Sequence, residues 1–121
     1  MNDLDIPIFK KSYDMYREFY KLRLSVPKQD RYTIWQKSES VLIEIIEGIL
    51  FAGQQSKTEK LPTLEKTSIK LNFLRVCIRL MKDIRAMDSK KYIIIEANLD
   101  EIGRMLGGWI KSTRVLKETP A

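Results

Sequence analysis

The 121-residue chain carries 22 Lys and Arg against 16 Asp and Glu, for a net charge of +6 and a pI near 9.5. It has no histidine and one cysteine, which excludes the usual zinc sites and Ser-His-Asp triads. The length predicts a single domain with one core, and the positive charge favours an anionic partner. No apolar run approaches the roughly 20 residues of a membrane span, and the N-terminus lacks a signal-peptide pattern, so we expect a cytoplasmic protein.

The first helix is predicted at about residues 7–25. Pro7 suits its first turn, where the missing N–H would have no partner in any case. Residues at spacings of three and four form an apolar and aromatic stripe that we expect to be buried: Phe9, Tyr13, Tyr16, Tyr20 and Leu24. Val26-Pro27-Lys28 ends this helix, because a residue before proline disfavours the α conformation.

The second helix is predicted at about residues 31–55, with Asp30 as its N-cap. Its inward positions are Ile34, Val41, Leu42, Ile45, Ile49 and Ala52. Gly48 and Gly53 are costly inside a helix, so we expect either a close neighbour over them or fraying near Gly53. Residues 54–62 are polar and lack periodicity, which predicts a loop.

The third helix is predicted at about residues 63–87, with Thr63 as its cap. Its expected core positions are Leu64, Leu71, Leu74, Ile78, Met81 and Ile84, flanked by Phe73, Val76, Cys77 and Leu80. The remaining outer positions predict a basic ridge formed by Lys66, Lys70, Arg75, Arg79, Lys82 and Arg85. Cys77 lies within the apolar pattern, so we expect a buried structural thiol.

The fourth helix is predicted at about residues 90–112, capped by Asp88 or Ser89, with a frayed tail at 113–121. Tyr92 to Ile95 alone would also suit a strand, but the helical period of the later residues favours a helix. Gly103 and Gly107 share a face with four-residue spacing beside Gly108 and Trp109. This spacing predicts close packing within or between protomers; the alternative is that Gly107-Gly108 ends the helix.

Together these segments predict an all-α, up-down-up-down four-helix bundle that forms one domain over residues 1–121. Arg104 and Lys111, seven residues apart, extend the basic set onto the fourth helix. This set is a candidate surface for nucleic acid or for an acidic protein, and a merely solvated face is the alternative. Carboxylate pairs such as Glu44 with Glu47 have no neighbouring base or nucleophile. We therefore expect no catalytic residues, no metal and no cofactor.

Three segments resemble the accessory variability determinant (Avd) proteins of diversity-generating retroelements: VPKQDRY, LRVCIRLMKDIRAM and above all LDEIGRMLGGWIKS. The similarity extends from Pro7 to Ser112. The resemblance implies a basic four-helix bundle that assembles into a homopentameric barrel and is not itself a polymerase. It also implies two partners, the retroelement's bacterial or phage-encoded reverse transcriptase and its template-repeat RNA or another nucleic acid.

Two other hypotheses remain open. The broader relatives of Avd are four-helix-bundle proteins encoded by intervening sequences in bacterial 23S ribosomal RNA genes, and these imply an RNA-related role without a polymerase. A helical adaptor for an acidic protein is the third reading, and it predicts no RNA binding at physiological salt. The sequence has no groove-reading motif, which argues against sequence-specific base recognition in any of them.

Overall fold

Four long helices form the structure, a computed structural model that describes residues 6–118 and the side chains of residues 6–115. They are α1 (Pro7–Lys21), α2 (Gln36–Gln54), α3 (Lys60–Asp83) and α4 (Ser89–Glu118). Helices α1 and α3 each pack against both α2 and α4, so α1 and α3 lie at opposite corners. The predicted all-α bundle of four helices is confirmed. No helix within residues 6–118 is long and apolar enough to cross a membrane.

The core consists of one buried stripe from each helix, joined by an aromatic stack. The rings of Phe19 and Trp35 lie parallel with centroids 5.3 Å apart. The same core contains fully buried side chains, among them Met15, Leu42, Ile45, Leu74, Ile78, Leu99 and Ile102. Cys77 is buried as predicted, and burial raises the pKa of its thiol. Close packing of these stripes accounts for most of the stability that a bundle of this size can have.

The connection between α1 and α2 contains three short helical segments. A 3₁₀ turn at Leu22–Ser25 follows α1, a single turn spans Lys28–Asp30, and the π-helical segment Arg31–Trp35 leads into α2. Helix α1 ends at Lys21, and the extended backbone of Val26, before Pro27, then ends the 3₁₀ turn that follows it. The prediction of Asp30 as an N-cap is wrong, because the chain is already helical at Lys28 and the Asp30 side chain forms no capping hydrogen bond.

The predicted aromatic stripe of α1 is only partly buried. Tyr13, Tyr20 and Leu24 are exposed, and the buried residues of this helix are Ile8, Phe9, Ser12, Met15 and Phe19. Both stripes have helical spacing, so the periodicity alone did not separate them. Ser12 can enter the core because its hydroxyl donates to the carbonyl oxygens of Ile8 and Phe9 within its own helix, 2.9 and 3.0 Å away.

Several helix boundaries differ from the sequence predictions, since α1 ends at Lys21 and α3 ends at Asp83, each about four residues before the predicted end. Helix α3 begins at Lys60 rather than at residue 63, so Thr63 lies inside it and is not its cap. Pro62 fits there because it occupies the first turn, where no backbone N–H is needed. Helix α4 continues to Glu118, beyond the predicted end at residue 112, and residues 119–121 of the predicted frayed tail lie outside the described part. The predicted cap at Asp88 is confirmed, since its Oδ1 accepts the Lys91 N–H at 2.8 Å.

A close contact between α2 and α3 explains Gly48. A Cβ atom at this position would collide with the hydroxyl of Thr67, which is buried and donates to the Thr63 carbonyl oxygen at 2.8 Å. The predicted close neighbour over Gly48 is therefore confirmed. At Gly108, by contrast, a Cβ atom would meet no heavy atom within 4 Å.

These two glycines give a matched test of the packing. Gly48→Ala should destabilise the protein by about 1–3 kcal/mol, since the collision outweighs the better helix propensity of alanine. Gly108→Ala should stabilise it by about 0.5–1 kcal/mol, because only the propensity changes. Urea denaturation followed by circular dichroism measures both. Equal shifts in the two variants would contradict the described contact.

Candidate nucleic-acid interface

The face of α3 that points away from the core is apolar, not basic. It is formed by residues at helical spacing that are each 45–69% exposed, and we call it the outer stripe: Ile69, Phe73, Val76, Leu80 and Ile84. The prediction of Ile84 as a core residue is wrong, and so is that of an outward basic ridge. The reason is that α3 carries apolar residues on two opposite faces, and the bundle buries only one of them.

The cations predicted as the ridge lie along the flanks of α3, where most meet a partner. Lys70 Nζ lies 3.9 Å from Glu44 Oε2 on α2. Arg79 Nε lies 3.3 Å from Asp83 Oδ1, and the charge of Asp83 raises the pKa of the Arg79 guanidinium. Lys82 Nζ lies 4.7 Å from the centre of the Tyr92 ring. These contacts reduce, without removing, the charge that the flanks present to a ligand.

Arg75 forms several polar contacts between α3 and α4. Its Nη1 donates to Asp100 Oδ1 at 2.6 Å and lies 3.5 Å from Glu96 Oε1. Its Nη2 donates to the Leu99 carbonyl oxygen at 3.2 Å. A Cβ atom at Gly103 would lie 2.8 Å from this Nη2, so the absence of a side chain there makes room for the guanidinium. Arg75 therefore has a structural role whatever else it binds.

Gly107, Gly108 and Trp109, the other residues of the predicted glycine face, lack the close contact with Arg75 that Gly103 has. A Cβ atom at Gly107 or at Gly108 would have no heavy atom within 4 Å, so neither glycine packs closely inside the protomer, and neither ends α4. Trp109 is half-buried against the core, with Lys60 Nζ 5.2 Å from its ring centre.

An open groove of about 660 Å³ lies between α3 and α4. It is lined by Gly107 together with Ile69, Ile110 and Lys111.

Five of the predicted cations form no ion pair with another residue of the described part. One of them, Lys82, contacts the Tyr92 ring, and the other four are Lys66, Arg85, Arg104 and Lys111. Arg104 and Lys111 are exposed on α4, and Lys66 is exposed near the start of α3. Arg85 lies in the turn between α3 and α4. These four side chains are the members of the predicted set that are best placed to meet an external anion.

A second cavity, which we call the turn cavity, lies at the end of the bundle where α3 turns into α4. Its volume is about 570 Å³, and its lining includes Lys82, Arg85 and Lys91 together with Ser25 and Pro27 of the α1–α2 connection. Lys91 was not among the predicted residues. The sequence could have indicated it, because Lys91 follows the predicted cap at Ser89 by two residues and therefore lies at the same turn as Arg85.

The fold and this surface define the class of protein: a basic helical bundle in which Arg104 and Lys111 on α4 and Arg85 in the α3–α4 turn are exposed and form no ion pair with a described residue. Within the described residues no group of three His, Cys, Asp or Glu side chains could hold a metal ion. A family model described as bAvd-like matches residues 7–113, and the chain belongs to that family. The predicted resemblance to Avd proteins is thereby confirmed. A comparison with curated proteins finds no match.

The contrast between Arg75 and Arg104 can be tested by substitution. Arg75→Ala should destabilise the protein by about 1–2 kcal/mol, because it leaves the carboxylates of α4 without their partner. Arg104→Ala should change the stability by less than about 0.5 kcal/mol, since Arg104 is exposed and forms no ion pair in the described part. Thermal and urea denaturation measure both, and a neutral Arg75→Ala would show that the contact is dispensable.

Proposed function

We propose that this protein is a non-catalytic accessory subunit of a diversity-generating retroelement. In this role it binds the reverse transcriptase and template-repeat RNA in the cytoplasm and supports the mutagenic reverse transcription that diversifies a target gene. Membership of the bAvd-like family over residues 7–113 is the observation that carries the proposal. The net charge of +6 supports it, because Lys and Arg that contact phosphates release counterions.

The unpaired cations support a nucleic-acid contact on one side of the bundle. Arg104 and Lys111 project from α4, whereas Glu44 and Glu47 lie on α2, across the diagonal of the bundle. This separation of charge gives the α4 side a positive field that can attract a polyanion from a distance. Backbone phosphates, rather than base edges, suit such a surface, so the binding is expected to tolerate many sequences.

We also propose that the protein assembles as a homopentamer. The outer stripe supports assembly, because a contiguous row of exposed apolar side chains marks a surface that another protein can cover. Ile43 and Phe51 of α2 are also exposed and offer a second apolar surface for a neighbouring copy. Contacts between unlike surfaces of successive copies form a ring when the rotation between copies closes. The occupant of the outer stripe in this proposal is a neighbouring copy of the chain.

The alternative function is that of a protein encoded by a ribosomal RNA intervening sequence, with an RNA-related role that needs no polymerase. The fold and the basic surface suit this alternative equally well. The family match favours the retroelement, because the family it names is that of the accessory proteins. A reverse-transcriptase gene and a template repeat beside the coding sequence would separate the two possibilities.

The partner proposal is tested by co-purification with the reverse transcriptase encoded at the same locus, with and without RNase. The wild-type protein should retain the polymerase. Arg104→Glu with Lys111→Glu should reduce retention of RNA by at least about tenfold at physiological salt, because two attractive contacts become repulsive. Arg17→Glu with Lys57→Glu is the matched control, since it makes the same change of charge at exposed positions elsewhere.

Retention of structured RNA without the polymerase would favour the intervening-sequence alternative. Retention of neither would contradict both RNA-related proposals. Equal loss of RNA in the α4 variant and in the control would show that overall charge, not the α4 surface, determines binding.

The assembly proposal is tested by light scattering on a sizing column. The wild type should have about five times the 14.2 kDa protomer mass. Val76→Asp should give a folded protein of lower mass, because a charge in the middle of the outer stripe cannot be buried against another copy. Tyr20→Asp, on the exposed face of α1, should keep the wild-type mass. A monomeric wild type would contradict the assembly, and an unchanged Val76→Asp mass would contradict the role of the stripe.

A further inference from the structure

Arg85 occupies a backbone conformation that favours glycine. Its φ is 63°, and it is the only non-glycine residue with positive φ in the described part of the chain. The Arg85 N–H donates to the Lys82 carbonyl oxygen at 3.0 Å, and the Ala86 N–H donates to that of Met81 at 2.7 Å. This pair of hydrogen bonds is the Schellman motif that ends a helix, and Arg85 stands at its left-handed position.

The motif itself gives no reason for an arginine. Glycine is the residue most often found at the left-handed position, because a side chain there disfavours the conformation. The apolar contact that accompanies the motif is made by its neighbours, Ala86 and Met81, which are both buried. The Arg85 side chain is exposed and forms no hydrogen bond or ion pair with another described residue. Within the described residues, therefore, no hydrogen bond or ion pair of the guanidinium stabilises the turn.

The surroundings of Arg85 are those of an anion site. The side chain lines the turn cavity with Lys82 and Lys91, so three cations from α3, the turn and α4 converge on one space. Asp88 supplies the single carboxylate in the lining, and it is already engaged: its Oδ1 accepts the Lys91 N–H, and its Oδ2 lies 4.0 Å from Lys91 Nζ. The cavity thus keeps an excess of positive charge.

We propose that the turn cavity binds a phosphodiester group of a nucleic-acid backbone, with Arg85 as the residue that holds it. The guanidinium can donate two parallel hydrogen bonds to the phosphate oxygens, while Lys82 and Lys91 add charge from either side. This inference rests on the proposed nucleic-acid function and locates one of its contacts at the end of the bundle.

The decisive variant is Arg85→Gly, because stability and binding should change in opposite directions. The Tm should rise by about 2–5 °C, since glycine relieves the unfavourable conformation. Affinity for a labelled single-stranded RNA should fall about three- to tenfold, and the slope of log K against log salt should fall by about 0.7–0.9, as expected for one lost phosphate contact. Arg85→Lys should retain most of the salt slope.

Arg17→Gln is the matched control, because it removes one exposed charge from α1 and should weaken binding by less than about twofold. Wild-type affinity in Arg85→Gly, or a loss no larger than that of the control, would overturn the proposed site. A lower Tm in Arg85→Gly would also count against it, since the arginine would then be structural.

A second measurement separates this site from the proposed function. If the wild type binds no RNA, the Tm is compared in inorganic phosphate and in chloride of equal ionic strength. A rise in Tm that is specific to phosphate and absent from Arg85→Gly would support a site for free phosphate. It would overturn the proposal that the bound phosphate belongs to a nucleic acid. No rise in the wild type would overturn the site itself.

Discussion

The two apolar faces of α3 are the constraint on which the rest of the structure depends. One face, with Leu74 and Ile78, fills the core, and the opposite face, with Phe73, Val76 and Leu80, remains exposed. A four-helix bundle gives each helix neighbours on one side only, so both faces cannot be buried in one protomer. This pattern restricts where the basic residues of α3 can lie.

Because the outward positions of α3 are apolar, its cations lie on the flanks that face α2 and α4. There they meet acidic residues, and the contact of Arg75 with Asp100 and Glu96 joins α3 to α4. Among the cations predicted for α3, Lys66 near its start and Arg85 in the turn after it are exposed and form no ion pair with a described residue. In this way the hydrophobic pattern of one helix decides which cations stabilise the fold and which are available to an anionic partner.

The sequence predicted the number and type of the helices because these depend on local periodicity and on residues such as Pro7 and Asp88. It did not separate the buried from the exposed stripe on α1 and α3, since both stripes have helical spacing and only the neighbouring helices decide between them. The contact of Arg75 with Asp100 joins residues 25 apart, beyond the reach of any local pattern. The conformation of Arg85 gave no signal at all, because that conformation normally indicates glycine.

The π-helical segment Arg31–Trp35 has a consequence for how this chain can vary. A π-helical turn holds about one residue more than an α-helical turn, and one residue corresponds to a rotation of about 100°. Trp35 lies at the end of this segment and stacks on Phe19, whereas Tyr32 and Thr33 are exposed. Replacing either exposed residue keeps the stack, but deleting one would rotate the preceding connection relative to Trp35. In related chains this segment should therefore accept many substitutions while keeping a constant length.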